Sequence, residues 1–406
     1  MNVPHLIWIG SVVPNSWYQQ LCEKGYKNQQ ASRIAQLNII KGLEAHYNTF
    51  FDYISGPALP AYPQYPEIIT SAYSWVQENG VHGELVSYLN IEYINRIFKA
   101  NAMKRAADKL IGNYEDRDNA IIFVNSPHTP FIKAGMTLKK KFKNAKLVLV
   151  VPDLPQFMES SVRPLKKMLK AVDISTINNL IKKFDYYVLY TQEMIQYLDL
   201  PQKRCVVMEG CVSEDSQVFQ KTEGDHPFTF MYSGKVDYKF GMDLLIKAFS
   251  KIEDPDCRLV VTGTGDAESL VRCASEKDVR IQYMGFVSDY SKVKQLQADA
   301  DVMMNMRLPS ETSSKYCFPS KLFEYMKTGN PVISFKIQGI KDEYYDYLLT
   351  AKHESAEDLY HTMQLAMKMP VEERRAFGEN ARNYIMRHKN IYSQTKAIYD
   401  LIETQS

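Results

Sequence analysis

The chain has 406 residues, 45% of them hydrophobic and 24% charged, with 18 Gly and 18 Pro. At about 150 residues per domain this length implies two or three domains, and the apolar fraction excludes a disordered or collagen-like chain. Forty-nine basic against 47 acidic side chains leave a net charge of +2, so bulk charge makes no case for a nucleic-acid partner.

Short apolar runs alternate with helical patterns along the whole length. The first series of predicted strands covers 6–9, 50–54, 120–125, 146–151, 186–190 and 205–208, and a second covers 228–232, 258–262, 280–284, 302–305 and 332–335. Amphipathic stretches such as 95–111, 244–252, 290–298 and 320–327 lie between them. Strand–helix alternation predicts parallel sheets covered on both faces, and two series predict two Rossmann-like doubly wound α/β domains. The polar, turn-rich segment 213–227 separates them. The expected division is 1–215, 216–388, and a final helix at 389–406 packing back on the first domain. Two such domains leave a cleft between the carboxyl ends of their sheets, the default place for a ligand. Six cysteines without a C-x-x-C pair fit neither a disulfide framework nor a zinc site and read as free buried thiols. The segment from Met1 to His5 lacks the basic and long apolar parts of a signal peptide, and no run nears the roughly 18 apolar residues of a membrane helix. A cytoplasmic protein is therefore expected.

The densest chemical signal runs from Phe318 to Ser334. Ser320 suits a helix N-cap, Gly329 suits the left-handed residue that closes that helix, and Pro331 blocks its continuation. The amides at such a helix start favour an anion such as a phosphate. Glu324, four residues on, has the two acceptor oxygens that bind a vicinal diol such as a ribose. Three glycine turns follow strands of the second series: Gly234 with Lys235, Gly263 with Gly265, and Gly285 with Phe286. Glycine lets backbone approach a ligand closely, and Lys235 supplies a cation for a diphosphate. Gly263-Thr-Gly265 lacks the third glycine of a dinucleotide fingerprint, which argues against NAD.

In order and spacing, these motifs and the closing helix after Glu372 make residues 228–400 resemble the donor domain of family-4 retaining glycosyltransferases. The resemblance implies the GT-B fold, two Rossmann-like domains facing each other across a cleft. It implies Glu324 at the nucleotide ribose, Lys235 with Ser320 and Lys321 at the diphosphate, and Gly285 and Phe286 at the base. It extends the donor-binding set to Gly234, Gly263, Tyr316, Pro319 and Leu322, and implies no metal cofactor. Two positions depart from the family. Tyr316 stands where a second glutamate is usual, with Glu311 the nearest acidic residue. Pro152-Asp153 stands where the family has a histidine, so Asp153 becomes the candidate for holding a donor-sugar hydroxyl. His128, after the third strand in Ser126-Pro-His-Thr-Pro130, is a second candidate for substrate contact, and both join Lys235 as catalytic candidates. The D-x-D patterns Asp299-Ala-Asp301 and Asp254-Pro-Asp256 read as caps and turns rather than metal ligands.

Between 133 and 170 lie ten basic residues against Asp153 and Glu159. Such a run is usually a solvated face, yet the family's frequent use of lipid-linked acceptors suggests docking on an anionic membrane through 139–146 and 163–170, on the inner face of the plasma membrane. The expected function is transfer of a hexose from a nucleoside diphosphate sugar, UDP by family preference, to a glycan or lipid-linked acceptor in cell-surface polysaccharide assembly. A GT-B pseudoenzyme that binds nucleotide or a partner without catalysis, and a sugar-nucleotide epimerase, remain alternatives. Acceptors are expected at a loop from Ser11 to Arg33.

Overall fold

The computed structural model describes residues 3–24, 30–77, 79–157, 164–213, 219–222, 224 and 226–404. The chain divides into two compact units, Met1–Cys211 with Ile391–Ser406, and Val212–Asn390.

The first unit contains β1 (His5–Gly10), α1 (Asn15–Glu23), α2 (Gln30–Tyr47), β2 (Phe51–Ser55), β3 (Tyr73–Val76), β4 (His82–Leu85), α3 (Asn95–Leu110) and β5 (Asn119–Asn125). It continues through α4 (Thr129–Lys139), β6 (Asn144–Val151), α5 (Pro164–Ile181), β7 (Tyr186–Leu189), α6 (Glu193–Tyr197) and β8 (Cys205–Val207). The strands order as β3-β4-β2-β1-β5-β6-β7-β8, and every pairing is parallel except β3 with β4. That hairpin was not legible in the sequence. Its strands are four residues each, and its packing uses a glycine: a Cβ on Gly83 would lie 1.9 Å from the Trp75 ring. A tight connection between neighbouring strands can only make them antiparallel. Leu6, Trp8, Phe123 and Val148 form the centre of the core, each at most 2% exposed.

The second unit contains β9 (Phe228–Ser233), α7 (Met242–Phe249), β10 (Cys257–Thr262), α8 (Glu268–Lys277), β11 (Ile281–Gly285), α9 (Tyr290–Asp299) and β12 (Val302–Asn305). It ends with α10 (Lys321–Met326), β13 (Val332–Phe335), β14 (Leu349–Ala351), α11 (Ala356–Lys368) and α12 (Val371–His388). Its sheet is parallel throughout, ordered β11-β10-β9-β12-β13-β14. The order reverses direction between β9 and β12. The final helix, α13 (Ile391–Thr404), belongs to the first unit. It lies along α2, where the Tyr47 hydroxyl donates to Glu403 at 3.0 Å and His46 meets the Tyr392 carbonyl at 3.0 Å.

Several expectations need correction. The segment from Ser11 to Arg33 is not a loop. Its described part holds α1, whose Leu21 is buried, and Arg33 on α2 closes back onto Asn15 at 2.5 Å; residues 25–29 lie outside the described residues. The cysteines are not uniformly buried: Cys22 and Cys273 are exposed, and only Cys257 is fully enclosed. The basic run is also less free than its sequence count. Lys139 pairs with Asp185, Lys141 with Asp108, Lys143 with Asp118 and Lys146 with Glu403. These carboxylates come from other elements, so counting along the chain missed them. Glu159, Arg163 and the side chain of Lys166 lie outside the described residues, as do 214–218, 223 and 225 of the segment between the units.

Lys99 on α3 is 4% exposed. Its ammonium donates to the Pro57 carbonyl at 2.9 Å and lies over the Tyr88 and Phe131 rings, 5.5 and 5.2 Å from their centroids. Burial, with Arg96 adding, pushes it down from 10.5 to about 7. Between those values the unfolded chain holds a proton that the folded chain has released, so this residue makes stability rise with pH across that window. Below about 7 both states are charged and the full burial penalty applies. Lys99→Met should therefore raise the melting temperature at pH 7, with the advantage over wild type shrinking towards pH 10. A variant less stable than wild type at pH 7 contradicts this account.

Candidate active site

In open α/β sheets the crevice for a ligand opens at the carboxyl ends of the strands where strand order reverses. In the second unit that point lies between β9 and β12, and three glycine turns are bonded together beside it. Gly234 N–H donates to the Thr262 carbonyl at 3.1 Å and Gly263 N–H donates to the Gly285 carbonyl at 2.8 Å. The Tyr283 hydroxyl adds a bond to the Gly263 carbonyl at 2.9 Å. Gly263 (φ +124°) and Gly285 (φ +61°) occupy the left-handed side of backbone space that favours glycine. A Cβ on Gly263 would stand 1.7 Å from the Gly234 carbonyl oxygen. Lys235 is exposed immediately beyond, its carbonyl held by the Tyr232 hydroxyl at 2.5 Å. Phe286 is 64% exposed, leaving a ring face free at the same edge.

Helix α10 is joined to this edge by Tyr325, whose hydroxyl donates to the Ser233 carbonyl at 2.6 Å and accepts from Ser233 N–H at 3.1 Å. Gly329 (φ +78°) follows the helix in the left-handed conformation. Ser320 is no conventional cap: it is itself helical and its side chain makes no capping bond. With only six residues the helix has a short dipole, so the anion reading at its start loses that support. Glu324 on the first turn has a largely buried carboxylate. Lys321 Nζ lies 2.9 and 3.0 Å from its two oxygens, Lys294 Nζ lies 3.2 Å from Oε1, and Gln297 Nε2 donates to Oε1 at 2.7 Å. Burial acts to raise this carboxyl, but Lys321 and Lys294 together with the Gln297 bond outweigh it and hold it below its ordinary 4.5. The group is an ionised acceptor pair one residue before Tyr325, the side chain that bonds the end of β9.

Residues 213–384 match the family described as Glycosyl transferases group 1. The second unit is a glycosyltransferase domain. Glycogen synthase of Thermus caldophilus is 26% identical over 131 residues, an alignment spanning 31% of this chain and only 28% of that protein. Solved structures resemble the chain over nearly its whole length. The Anabaena protein HepE in complex with UDP matches with a TM-score of 0.63 at 12% identity, covering 98% of this chain and 100% of that one. Sucrose-phosphate synthase from Thermosynechococcus elongatus matches with a TM-score of 0.64 at 15% identity, covering 99% and 100%. An E. coli trehalose-6-phosphate structure bound with UDP-2-fluoro glucose matches with a TM-score of 0.65 at 11% identity, covering 98% and 99%. At such identities these likenesses show the fold, which is GT-B.

Not every sequence candidate lies at the edge of the glycosyltransferase domain. Leu322 is fully buried in its core and its amide is taken by the Pro319 carbonyl, so its side chain is not a ligand contact. Pro319 is buried and Tyr316 half-buried after a 3₁₀ turn. Glu311 starts that turn and accepts from the Ser313 hydroxyl at 3.3 Å. Asp299 and Asp301 belong to the opposite edge. Asp301 joins Lys221 and Arg374 and accepts from Thr229 N–H, while Asp299 accepts from Thr222 N–H. Among the described residues no three His, Cys, Asp or Glu side chains gather as a metal site. In the first unit, His128 and Asp153 follow β5 and β6. The His128 ring packs edge-on to Phe131, and its Nδ1 is buried with no hydrogen-bond partner among the described residues. Burial, with Lys99 and Arg96, holds the imidazole well below 6.5 and therefore neutral. Asp153 is half-buried.

Sequence reasoning missed Lys294, Gln297 and Arg307. Arg307 lies past β12, stacked 4.9 Å over the Phe240 ring and bonded to Ser313 at 3.4 Å. Spacing along α9 marks Lys294 and Gln297 as one helical face, but nothing in the sequence aims that face at Glu324.

Two glycine substitutions separate backbone crowding from backbone angle. Gly263→Ala drives a Cβ into a carbonyl oxygen at an unfavourable φ, and should lower the melting temperature by several degrees and weaken nucleotide binding. Gly285→Ala has open space around its Cβ and should cost only the left-handed penalty of about 1–2 kcal/mol. Thermal melts showing equal losses contradict this ordering.

Proposed function

We propose that the protein is a retaining glycosyltransferase that moves a hexose from a nucleoside diphosphate sugar, preferably a UDP-sugar, to a hydroxyl of a glycan or lipid-linked acceptor in cell-surface polysaccharide assembly, without a metal. The observation that carries this reading is the ionised Glu324 carboxylate on a helix that Tyr325 bonds to Ser233, at the strand end that carries Gly234 and Lys235. The matched family and the UDP held by HepE support it. The carboxylate accepts from the ribose hydroxyls, Phe286 and Gly285 border the base, and Lys235 with the chain at Ser320 and Lys321 faces the diphosphate. The bond from the anomeric carbon to the β-phosphate oxygen breaks with its electron pair leaving on the diphosphate, whose charge Lys235 offsets. The acceptor oxygen bonds the anomeric carbon on the same face, and its proton passes to the departing phosphate. Asp153 and His128 of the first unit are the candidates for orienting the sugar and acceptor.

Glu324→Ala and Lys235→Ala should each lower donor affinity or turnover at least about tenfold, equivalent to about 1.4 kcal/mol. Titration calorimetry with UDP, GDP and ADP should select UDP. Wild-type activity in both variants contradicts the site. Product formed without acceptor indicates an epimerase, and nucleotide binding without turnover indicates a pseudoenzyme.

Peripheral docking on an anionic membrane rests on the first unit's surface rather than on 139–146. Ile94, Ile97 and Phe98 at the start of α3 are exposed, as are Met168, Leu169 and Val172 on α5, and the Arg96–Asp173 pair ties the two helices together. Contiguous exposed apolar groups mark an interaction surface, and Lys167 is exposed beside them. Among the described residues no helix is long and apolar enough to cross a membrane. The protein should co-sediment with anionic vesicles more than neutral ones, less at high salt, and less after Ile97→Glu. Equal recovery on both vesicles, or none, contradicts docking.

A further inference from the structure

The reading of Glu324 as the ribose-binding group leaves two of its partners without a role. Tyr290, Lys294 and Gln297 recur at helical spacing on α9 and share one face. Lys294 lies 5.2 Å over the Tyr290 ring, its side chain 20% exposed, and Gln297 is fully buried. Behind them, Asn330 Nδ2 donates to the backbone carbonyls of Gln297 and Ala298 at 3.0 and 3.3 Å. The end of α9 is thereby bolted to the turn that closes α10.

The two oxygens of Glu324 are not equivalent. Oε1 accepts from Gln297 at 2.7 Å and from Lys321 at 2.9 Å and pairs with the Lys294 ammonium at 3.2 Å, whereas among the described residues Oε2 meets Lys321 alone, at 3.0 Å. A carboxylate oxygen has about two lone-pair sites, so Oε1 is saturated and Oε2 keeps acceptor capacity. The Lys321 side chain is 40% exposed and long enough to turn away, while Lys294 and Gln297 are enclosed.

We infer that Lys294, with Gln297, is a positioning residue that anchors Oε1 of Glu324, so that Oε2 is the oxygen presented to the ribose hydroxyls. Lys294 touches no substrate. It fixes the orientation of the carboxylate and, with Lys321, keeps it ionised against its burial. Lys321 closes the site when no nucleotide is bound, and its displacement frees Oε2. The inference rests on the ribose reading of Glu324, and its test separates the two.

The test compares UDP with 2′,3′-dideoxy-UDP by calorimetry. Both carry the same diphosphate and base, so their affinity ratio reports the ribose hydroxyls alone. Wild type should prefer UDP by at least about tenfold. Lys294→Met should bring that preference to within about threefold by weakening UDP, with dideoxy-UDP affinity unchanged; the latter also reports that the variant is folded. Lys294→Arg should restore most of the preference. Because Lys294→Met removes one of the two cations opposing burial, any remaining preference should also be lost at a higher pH than in wild type as acid is added. Lys294→Gln serves the same purpose if the Met variant does not fold. Loss of both nucleotides to the same degree, or full retention of the preference, overturns the positioning role. Equal binding of the two by wild type overturns the ribose reading of Glu324, and this inference with it.

Discussion

A buried carboxylate held ionised by two lysines and an amide organises the packing of α9 and α10 in the second unit. Removing charges from water is costly, and a buried pair is tolerated only when geometry and further hydrogen bonds are good. Glu324 meets that condition because the Lys294 and Gln297 side chains of α9 reach it, while the chain between α10 and β13 turns at Gly329. Asn330 then bonds across to the last carbonyls of α9. Helix α12 presses on the same turn: a Cβ on Gly378 would stand 2.0 Å from the Gly329 carbonyl oxygen. Two glycines and one asparagine thus fix the distance at which a lysine and a glutamine meet a glutamate.

The opposite side of the site is built from backbone. Where Gly234, Gly263 and Gly285 interlock, a Cβ on Gly285 would meet open space, the Tyr232 and Tyr283 hydroxyls bond the turn carbonyls, and Lys235 and Phe286 are exposed. Such an edge suits a flat base and a charged diphosphate better than a greasy ligand. An acceptor pair on one side and a backbone shelf with a cation on the other match the three parts of a nucleoside diphosphate.

Much of this was legible in the sequence. Most parallel strands of both sheets follow from apolar runs, and Val302–Asn305 and Val332–Phe335 were bounded to the residue, but the short β4 and β14 were missed. Gly329 announced its left-handed angle by its place between a helix and a proline. Other features were not legible for physical reasons. The β3–β4 hairpin stabilises itself by laying Trp75 on Gly83, a contact with no periodic signature. Ser320 has the residue type of a cap, but the helix begins in a conformation that does not use it. The lysine run at 139–146 looked unopposed because Asp108, Asp118, Asp185 and Glu403 are far away in sequence. Lys294 and Gln297 read as ordinary surface residues of an amphipathic helix until the fold turns that face towards α10.

The central claim is that Glu324 binds the ribose of a nucleoside diphosphate at the edge of the second sheet. A crystal structure of the protein soaked with UDP tests it most directly. The account predicts the ribose hydroxyls at hydrogen-bond distance from Glu324 Oε2, the diphosphate against Lys235, and the base beside Phe286, with Lys321 moved off the carboxylate. UDP bound elsewhere, or bound here with Glu324 still closed by Lys321 and out of reach of the ribose, would contradict it.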